Sequence, residues 1–178
     1  MVMRRIRYRV ACSMDGYIAD ADGRFDWIVQ DPDMNFAALF DEFDTFLMGR
    51  RTFEMIPPGD TSLINKNVVV VSATLRPEDH PGVRIVADDL ESVLIELRAR
   101  PGRDIWLFGG AQLFRTAWNL GQIDSVETAI IPIMLGSGLP LLPPPAERRQ
   151  LELRNHRIFD SGIVLLEYDV QTRARKGS

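Results

Sequence analysis

A single cysteine, Cys12, stands among 178 residues, so the chain can form no internal disulfide. That suits a reducing compartment. Histidine is scarce as well: only His80 and His156 occur, and neither has a second ligand at metal-binding spacing. A zinc or other metal centre is therefore not expected, and the two read as a loop histidine and a strand-surface histidine. Long apolar runs are missing. The longest apolar tract, Ala129 to Pro145, is broken by Pro132, Gly136, Gly138, Pro140 and Pro143, whereas a membrane span needs about 20 mostly unbroken apolar residues. The apolar stretch after Arg4, Arg5, Arg7 and Arg9 stops at Asp15, too soon for a signal-peptide core and its cleavage site. Nor is positive charge in excess: 21 basic against 25 acidic residues leave a net charge of −4, which argues against a general nucleic-acid binder. A cytoplasmic protein engaging neither membrane nor nucleic acid is the expectation.

Several catalytic signatures are absent too. There is no Gly-x-Ser-x-Gly elbow of the hydrolase type. Neither a Walker loop nor a Gly-x-Gly-x-x-Gly follows the first strand, so the usual Rossmann site is missing. Cys12 falls in a strand expected to be buried and reads as a structural cysteine rather than a nucleophile.

What is present is an ordinary globular composition, 46% apolar and 26% charged, in a chain of one-domain length. At this size roughly 70% of the unfolded surface is buried on folding, enough to fold without metal or disulfide. One domain over residues 1–172 is expected, with a polar, disordered tail from Arg173 to Ser178.

Along the chain, Ile6, Tyr8 and Val10 alternate with Arg5, Arg7 and Arg9, the period of a strand with one polar face. Asp15-Gly16 and Asp22-Gly23 mark turns around Tyr17-Ile18-Ala19. Phe36, Leu39, Phe40 and Phe43 follow the spacing of an amphipathic helix over Asp33 to Phe43, with Asp31-Pro32-Asp33 as its N-cap region. Thr45 to Met48 reads as a short strand running into a helix that Pro57-Pro58-Gly59 stops. Val68 to Val71 is an unbroken apolar run of the buried parallel type. Leu90 to Arg98 is helical, with Pro101-Gly102 as its stop. Asp104 to Phe108 is a buried strand followed by a helix to about Leu120, and Ile123 to Ile131 is a further strand before the Pro/Gly-rich loop 132–145. Leu151 to Ile158 and Ile163 to Val170 form a hairpin around Asp160-Ser161-Gly162. Strands and helices alternating and closed by an antiparallel pair predict an α/β sandwich, mostly parallel, with helices on both faces.

Two strand-to-helix junctions share one composition: Phe46-Leu47-Met48-Gly49-Arg50-Arg51-Thr52 and Trp106-Leu107-Phe108-Gly109-Gly110-Ala111-Gln112. A helix N-terminus exposes unpaired N–H groups and about half a positive charge, which favours an anion. Glycine there lets a phosphate approach the backbone, and Arg50 or Arg51 adds fork-shaped donors. Both junctions lie at C-terminal strand ends, where open α/β sheets bind ligands. Glycine also serves any tight turn, so each junction alone supports either reading; two in one short domain point to a dinucleotide. Val71-Ser72-Ala73-Thr74-Leu75-Arg76, just past a buried strand, suits a ribose 2′-phosphate or a loop capped by its own hydroxyls.

Together these segments resemble the dihydrofolate reductase-like superfamily, and more closely its branch related to the pyrimidine reductase of riboflavin biosynthesis, 5-amino-6-(5-phosphoribosylamino)uracil reductase. The matching pieces are Ala11 to Ala19, Met48 to Glu54, Val71 to Thr74, Phe108 to Leu113 and Pro132 to Leu141, and the resemblance runs from about Arg5 to Tyr168. It implies a three-layer α/β sandwich, an NADPH cofactor and a homodimer. It implies that Gly49, Arg50, Arg51 and Thr52 hold phosphates, that Ser72 and Thr74 lie near the adenosine 2′-phosphate, and that Gly109, Gly110, Ala111, Gln112 and Leu113 wrap the pyrophosphate and nicotinamide ribose. Ala11 and Ile18 would border the nicotinamide, with Asp15 and Tyr17 on the substrate side. Asp15 also suits a simple Asp-Gly turn. A catalytic group is not identified; Asp15 and Asp33 are the candidates, Asp33 or Asn35 standing near the place where dihydrofolate reductases carry a first-helix carboxylate. Tyr17 occupies a position that is frequently basic in the biosynthetic enzymes, and the ligands of the zinc deaminase often fused to them are absent. A dihydrofolate reductase, or a nucleotide-binding protein without turnover, are the alternatives to a pyrimidine reductase-like enzyme.

Overall fold

The structure is a computed structural model that describes residues 3–57 and 60–171. The expected tail, and the last two residues of the expected Pro57-Pro58-Gly59 helix stop, lie outside the described residues. In chain order the elements are β1 (Ile6–Ser13), β2 (Tyr17–Ala19), α1 (Phe36–Asp41), β3 (Phe43–Gly49), α2 (Arg50–Glu54), β4 (Asn67–Val71), β5 (Val83–Val86), α3 (Leu90–Ala99), β6 (Asp104–Gly109), α4 (Ala111–Asn119), β7 (Ser125–Ile131), β8 (Leu139–Pro140), β9 (Leu151–Ile158) and β10 (Val164–Val170). Eight strands form one sheet in the order β5-β4-β3-β6-β1-β7-β10-β9, and β2 pairs with β8 in a separate small one. From β5 to β7 every ladder is parallel; β10 runs antiparallel to both β7 and β9.

Strand patterning explains the layers. Ile6 and Tyr8 turn to one face, where α3 and α4 bring Val93, Leu94, Leu97, Phe114, Ala117 and Trp118 into a single core. Tyr8 stacks on Phe114 with ring centroids 3.7 Å apart. On the opposite face Phe43, Phe46, Met48 and Trp106 pack under Leu39 and Phe40 of α1. Helices thus cover both faces, as the alternation predicts. A third cluster, Ile131, Phe159, Ile163 and Leu165, lies under Trp27, Ile28 and Met34 of the long loop after β2.

Three expectations are corrected. The helix predicted over Asp33 to Phe43 is only one and a half turns, Phe36–Asp41, and its N-cap is Asn35, whose side chain accepts from the Ala38 N–H at 2.9 Å. Asp31 folds residues 31–34 into a turn instead, accepting the Asp33 N–H at 2.9 Å. Phe43 belongs to β3, yet joins the same cluster as Leu39, so helical spacing continued across a helix-to-strand boundary because both elements bury residues in one core. The strand Val83–Val86 was not anticipated; all four of its residues are only partly buried, and its parallel pairing with β4 defines it. The loop 132–145 contains β8, made a strand by β2 across from it.

Candidate functional site

Strands β3, β6 and β1 are neighbours and parallel, so their C-terminal ends, Gly49, Gly109 and Ser13, come together along one edge of the sandwich. Met48 is in register with Gly109, which brings the two glycine junctions face to face. A Cβ built on Gly49 would stand 3.9 Å from the Gly110 nitrogen and 4.0 Å from the Gly109 oxygen. Thr52, in the first turn of α2, directs its Oγ1 at the same place, 3.3 Å from a Cβ built on Gly109 and 3.5 Å from one on Gly110. Gly109 has φ +137°, a backbone conformation that side chains rarely adopt. Both helices start on glycine N-caps that offer no side-chain hydrogen bond. The unpaired N–H groups that open α4 are therefore left to whatever lies in the trough.

The remaining residues of the implied cofactor set divide by burial. Arg50 donates to Glu54 of α2 at 2.9 Å, and both side chains are over two-fifths exposed; Arg51 is exposed. Ala111 and Leu113 are buried in the core behind α4, so they can meet a ligand only through their backbone, while Gln112 is exposed. Ser72 is buried and its Oγ accepts the N–H groups of Thr74 and Leu75 at 3.1 and 3.0 Å. Its hydroxyl shapes the loop after β4 and leaves exposed Thr74 as the outward hydroxyl of that pair. Ala11 and Ile18 are partly buried, Ala11 packing against the cluster around Ile131.

On the substrate side the structure separates the acidic candidates. Asp15 accepts from Ser13 Oγ at 2.6 Å, from the Leu135 N–H at 3.1 Å and from the Gly136 N–H at 2.7 Å. The Ser13 hydroxyl, helped by the Gly136 and Leu135 amides, lowers its pKa to about 2 against the cost of desolvation. Asp33 is exposed and lies in the turn before α1 rather than on the helix itself. Tyr17 pairs with Pro140 across β2 and β8, and its N–H donates to Ser13 Oγ at 2.9 Å. Asp31 escaped sequence reasoning. It is 4% exposed, accepts from the Asp33 N–H at 2.9 Å and the Ser161 N–H at 3.2 Å, and so ties the loop after β2 to the β9–β10 turn. Hydrogen bonds from Ser161 and Asp33 lower its pKa. Asp-Pro-Asp was its only local signal, and that signal is shared with any helix start.

Concavity alone would mislead. A recess of about 310 Å³ opens among Arg5, Arg7, Glu127, Arg154 and Asp169, and one of about 700 Å³ between Phe36, Phe40, Ile64 and Arg103. Both lie toward the N-terminal ends of the parallel strands. No group of His, Cys, Asp or Glu suited to a metal ion occurs among the described residues, and no helix among them is long and apolar enough to cross a membrane.

This architecture is that of the dihydrofolate reductase-like α/β proteins. The chain belongs to the RibD C-terminal domain family, whose pattern matches residues 4–165. It is 37% identical to the uncharacterised protein YyaP of Bacillus subtilis (strain 168), an alignment spanning 93% of this chain and 94% of that one. Among solved structures it is similar to a protein from Shewanella sp. PV-4 named for riboflavin biosynthesis, with TM-score 0.81 and 25% identity over 94% of this chain and 99% of that one. It also shares its fold with the deaminase/5-amino-6-(5-phosphoribosylamino)uracil reductase of Thermotoga maritima, at TM-score 0.74 and 20% identity. There the match covers 95% of this chain but 57% of the longer protein.

Proposed function

We propose that the protein is an NADPH-dependent reductase of a small heterocyclic substrate of the aminopyrimidine class. The observation that carries this reading is the adjacent pair of glycine junctions, where a Cβ added at Gly49 would reach contact distance of the Gly109 and Gly110 backbone, beside the uncapped start of α4. A cradle that a single Cβ would narrow, lined by N–H donors and flanked by Arg50 and Arg51, fits the diphosphate of a dinucleotide. The bound cofactor supplies the hydride. The chain's own residues bind and orient: backbone at Gly49 and Gly109–Gly110 with Thr52 at the diphosphate, Thr74 and the basic residues toward the 2′-phosphate, Ala11 and Ile18 beside the reacting ring. Asp15, its pKa lowered to about 2, is ionised in the neutral range and is no proton donor there. The folate alternative is less well supported, because α1 has no acidic residue in its first turn.

Titrating the protein with NADPH while following Trp27, Trp106 and Trp118 fluorescence tests the cofactor site. Saturable quenching in the micromolar range is expected, and no response at high micromolar NADPH overturns the reading. NADPH oxidation is then expected with an aminopyrimidine carrying a ribosyl or ribosyl-phosphate group and not with dihydrofolate. Binding without oxidation of either would leave a nucleotide-binding protein without turnover.

A further inference from the structure

The loop after β7 runs beside the β1–β2 turn and is fastened to it at several points between residues 133 and 141. Most fastenings join backbone to backbone: Met14 N–H to the Ile133 carbonyl at 2.9 Å, Leu141 N–H to the Gly16 carbonyl at 2.9 Å, and the β2–β8 pairing. Gly138 completes the seam. A Cβ there would fall inside the Ala19 carbonyl, so only glycine allows the approach. One fastening is different in kind. The Asp15 carboxylate takes two consecutive amides of the loop, Leu135 on Oδ1 and Gly136 on Oδ2. Ser13, 1% exposed, braces it from below with its hydroxyl, and the same oxygen accepts the Tyr17 N–H.

We infer that Asp15 is a positioning residue whose carboxylate clamps the Leu135–Gly136 backbone to the β1–β2 turn and thereby sets Tyr17 and Ile18 at the site. Each oxygen accepts one amide of the loop, so the carboxylate shapes the substrate side through the backbone it holds. Charge-assisted hydrogen bonds are roughly twice as strong as neutral ones, and an asparagine presents an NH₂ group to one of the two amides it must receive. The clamp stands on these hydrogen bonds alone; its effect on ligand binding rests on the cofactor reading given above.

Hydrogen exchange at Leu135 and Gly136, measured in the wild-type protein, Asp15→Asn and Ser13→Ala, reads the clamp directly. Stopped-flow dissociation of NADPH in the same three proteins reads its consequence. Exchange at these two amides is expected to rise about tenfold or more in Asp15→Asn, the scale of one hydrogen bond to a charged group, and by less in Ser13→Ala, which keeps both amide bonds. NADPH dissociation is expected to accelerate in the same order, while exchange in β3 and β6 stays unchanged. Unchanged exchange at Leu135 and Gly136 overturns the clamp. Faster exchange there with unchanged NADPH dissociation overturns its positioning role and leaves a structural one. A wild-type protein that does not bind NADPH refutes the cofactor reading, and the exchange comparison then decides the clamp by itself. Should Asp15→Asn fail to fold, Ser13→Ala carries both measurements.

Discussion

The two ends of the central sheet handle charge in opposite ways. At the N-terminal ends of the parallel strands, arginines and carboxylates saturate one another. Arg7 forks onto Glu127 at 2.6 and 2.9 Å and reaches Glu42 at 2.6 Å, Arg9 adds a bond to Glu127 at 3.1 Å, and Ser125 Oγ donates to it at 3.0 Å. Arg4 and Asp44 pair beside them, as do Arg5 and Asp169. Burial would push the Glu127 carboxyl up, but the hydrogen bonds and charge of Arg7, with those of Arg9 and Ser125, outweigh it and hold it low. At the C-terminal ends of β3 and β6 glycines take the place of side chains, α2 and α4 start without a side-chain cap, Arg50 makes one exposed pair with Glu54, and Arg51 is exposed. One end has spent its side-chain donors on its own acceptors; the other leaves the N–H groups that open α2 and α4 without a side-chain cap. The recess between Arg5, Arg7 and Glu127 is therefore a gap in a satisfied ion network, and on the proposed reading the glycine seam is where the diphosphate would meet free N–H donors.

That contrast is tested most severely at Glu127, which is 3% exposed. Breaking a buried pair costs about 3–5 kcal/mol. Because Glu42 and Asp104 still hold Arg7, Glu127→Ala is expected near the low end, about 3 kcal/mol, as a fall in the urea midpoint. NADPH affinity of the folded protein is expected to stay unchanged, and a matching loss of affinity would erase the distinction between the two ends. Gly109→Ala is expected to lower both quantities. Its positive φ makes the side chain strained, at about 1–3 kcal/mol, and its methyl meets Thr52 Oγ1, so NADPH affinity should fall by about tenfold or more, one to two lost hydrogen bonds in the cradle. Undiminished NADPH binding by that variant would mean the seam is only a turn. Arg50→Ala should change stability by less than about 0.5 kcal/mol, as for other exposed i,i+4 pairs, yet weaken cofactor binding. A greater loss for NADPH than for NADH, measured by the same fluorescence titration, places Arg50 at the 2′-phosphate; equal losses place it at the diphosphate.

A further effect depends on acid. The folded pKa of Asp15 lies below its ordinary value, so its contribution is present above the unfolded value, near pH 4, and is lost as pH falls toward 2. Melting temperatures of the wild-type protein and Asp15→Asn should differ at pH 6 and converge near pH 2. A constant difference across that range would show that the carboxylate's charge is not what matters.

Much of this was legible locally. Alternation in Ile6, Tyr8 and Val10, the apolar run Val68 to Val71, and the glycine-ended strands Phe46 to Gly49 and Trp106 to Gly109 each announce an element and its end, because backbone conformation and burial leave period-specific patterns in short windows. Phe43 misled for the same reason: its spacing from Phe36 and Leu39 reports a shared core, whichever element carries it. Asp15 and Asp31 were ambiguous, since an aspartate before glycine or beside proline serves turns as readily as ligands.

Residue order was thus enough to establish the α/β alternation, the places where strands give way to helices, and the glycines that permit close approach there. Long-range pairing supplied everything that depends on distance. It set Gly49 against Gly110, made strands of β2, β5 and β8, and handed Asp15 to amides 120 and 121 residues away. Local sequence carries propensity and periodicity, whereas a carboxylate's role depends on which donors arrive beside it, and those donors are brought by the fold.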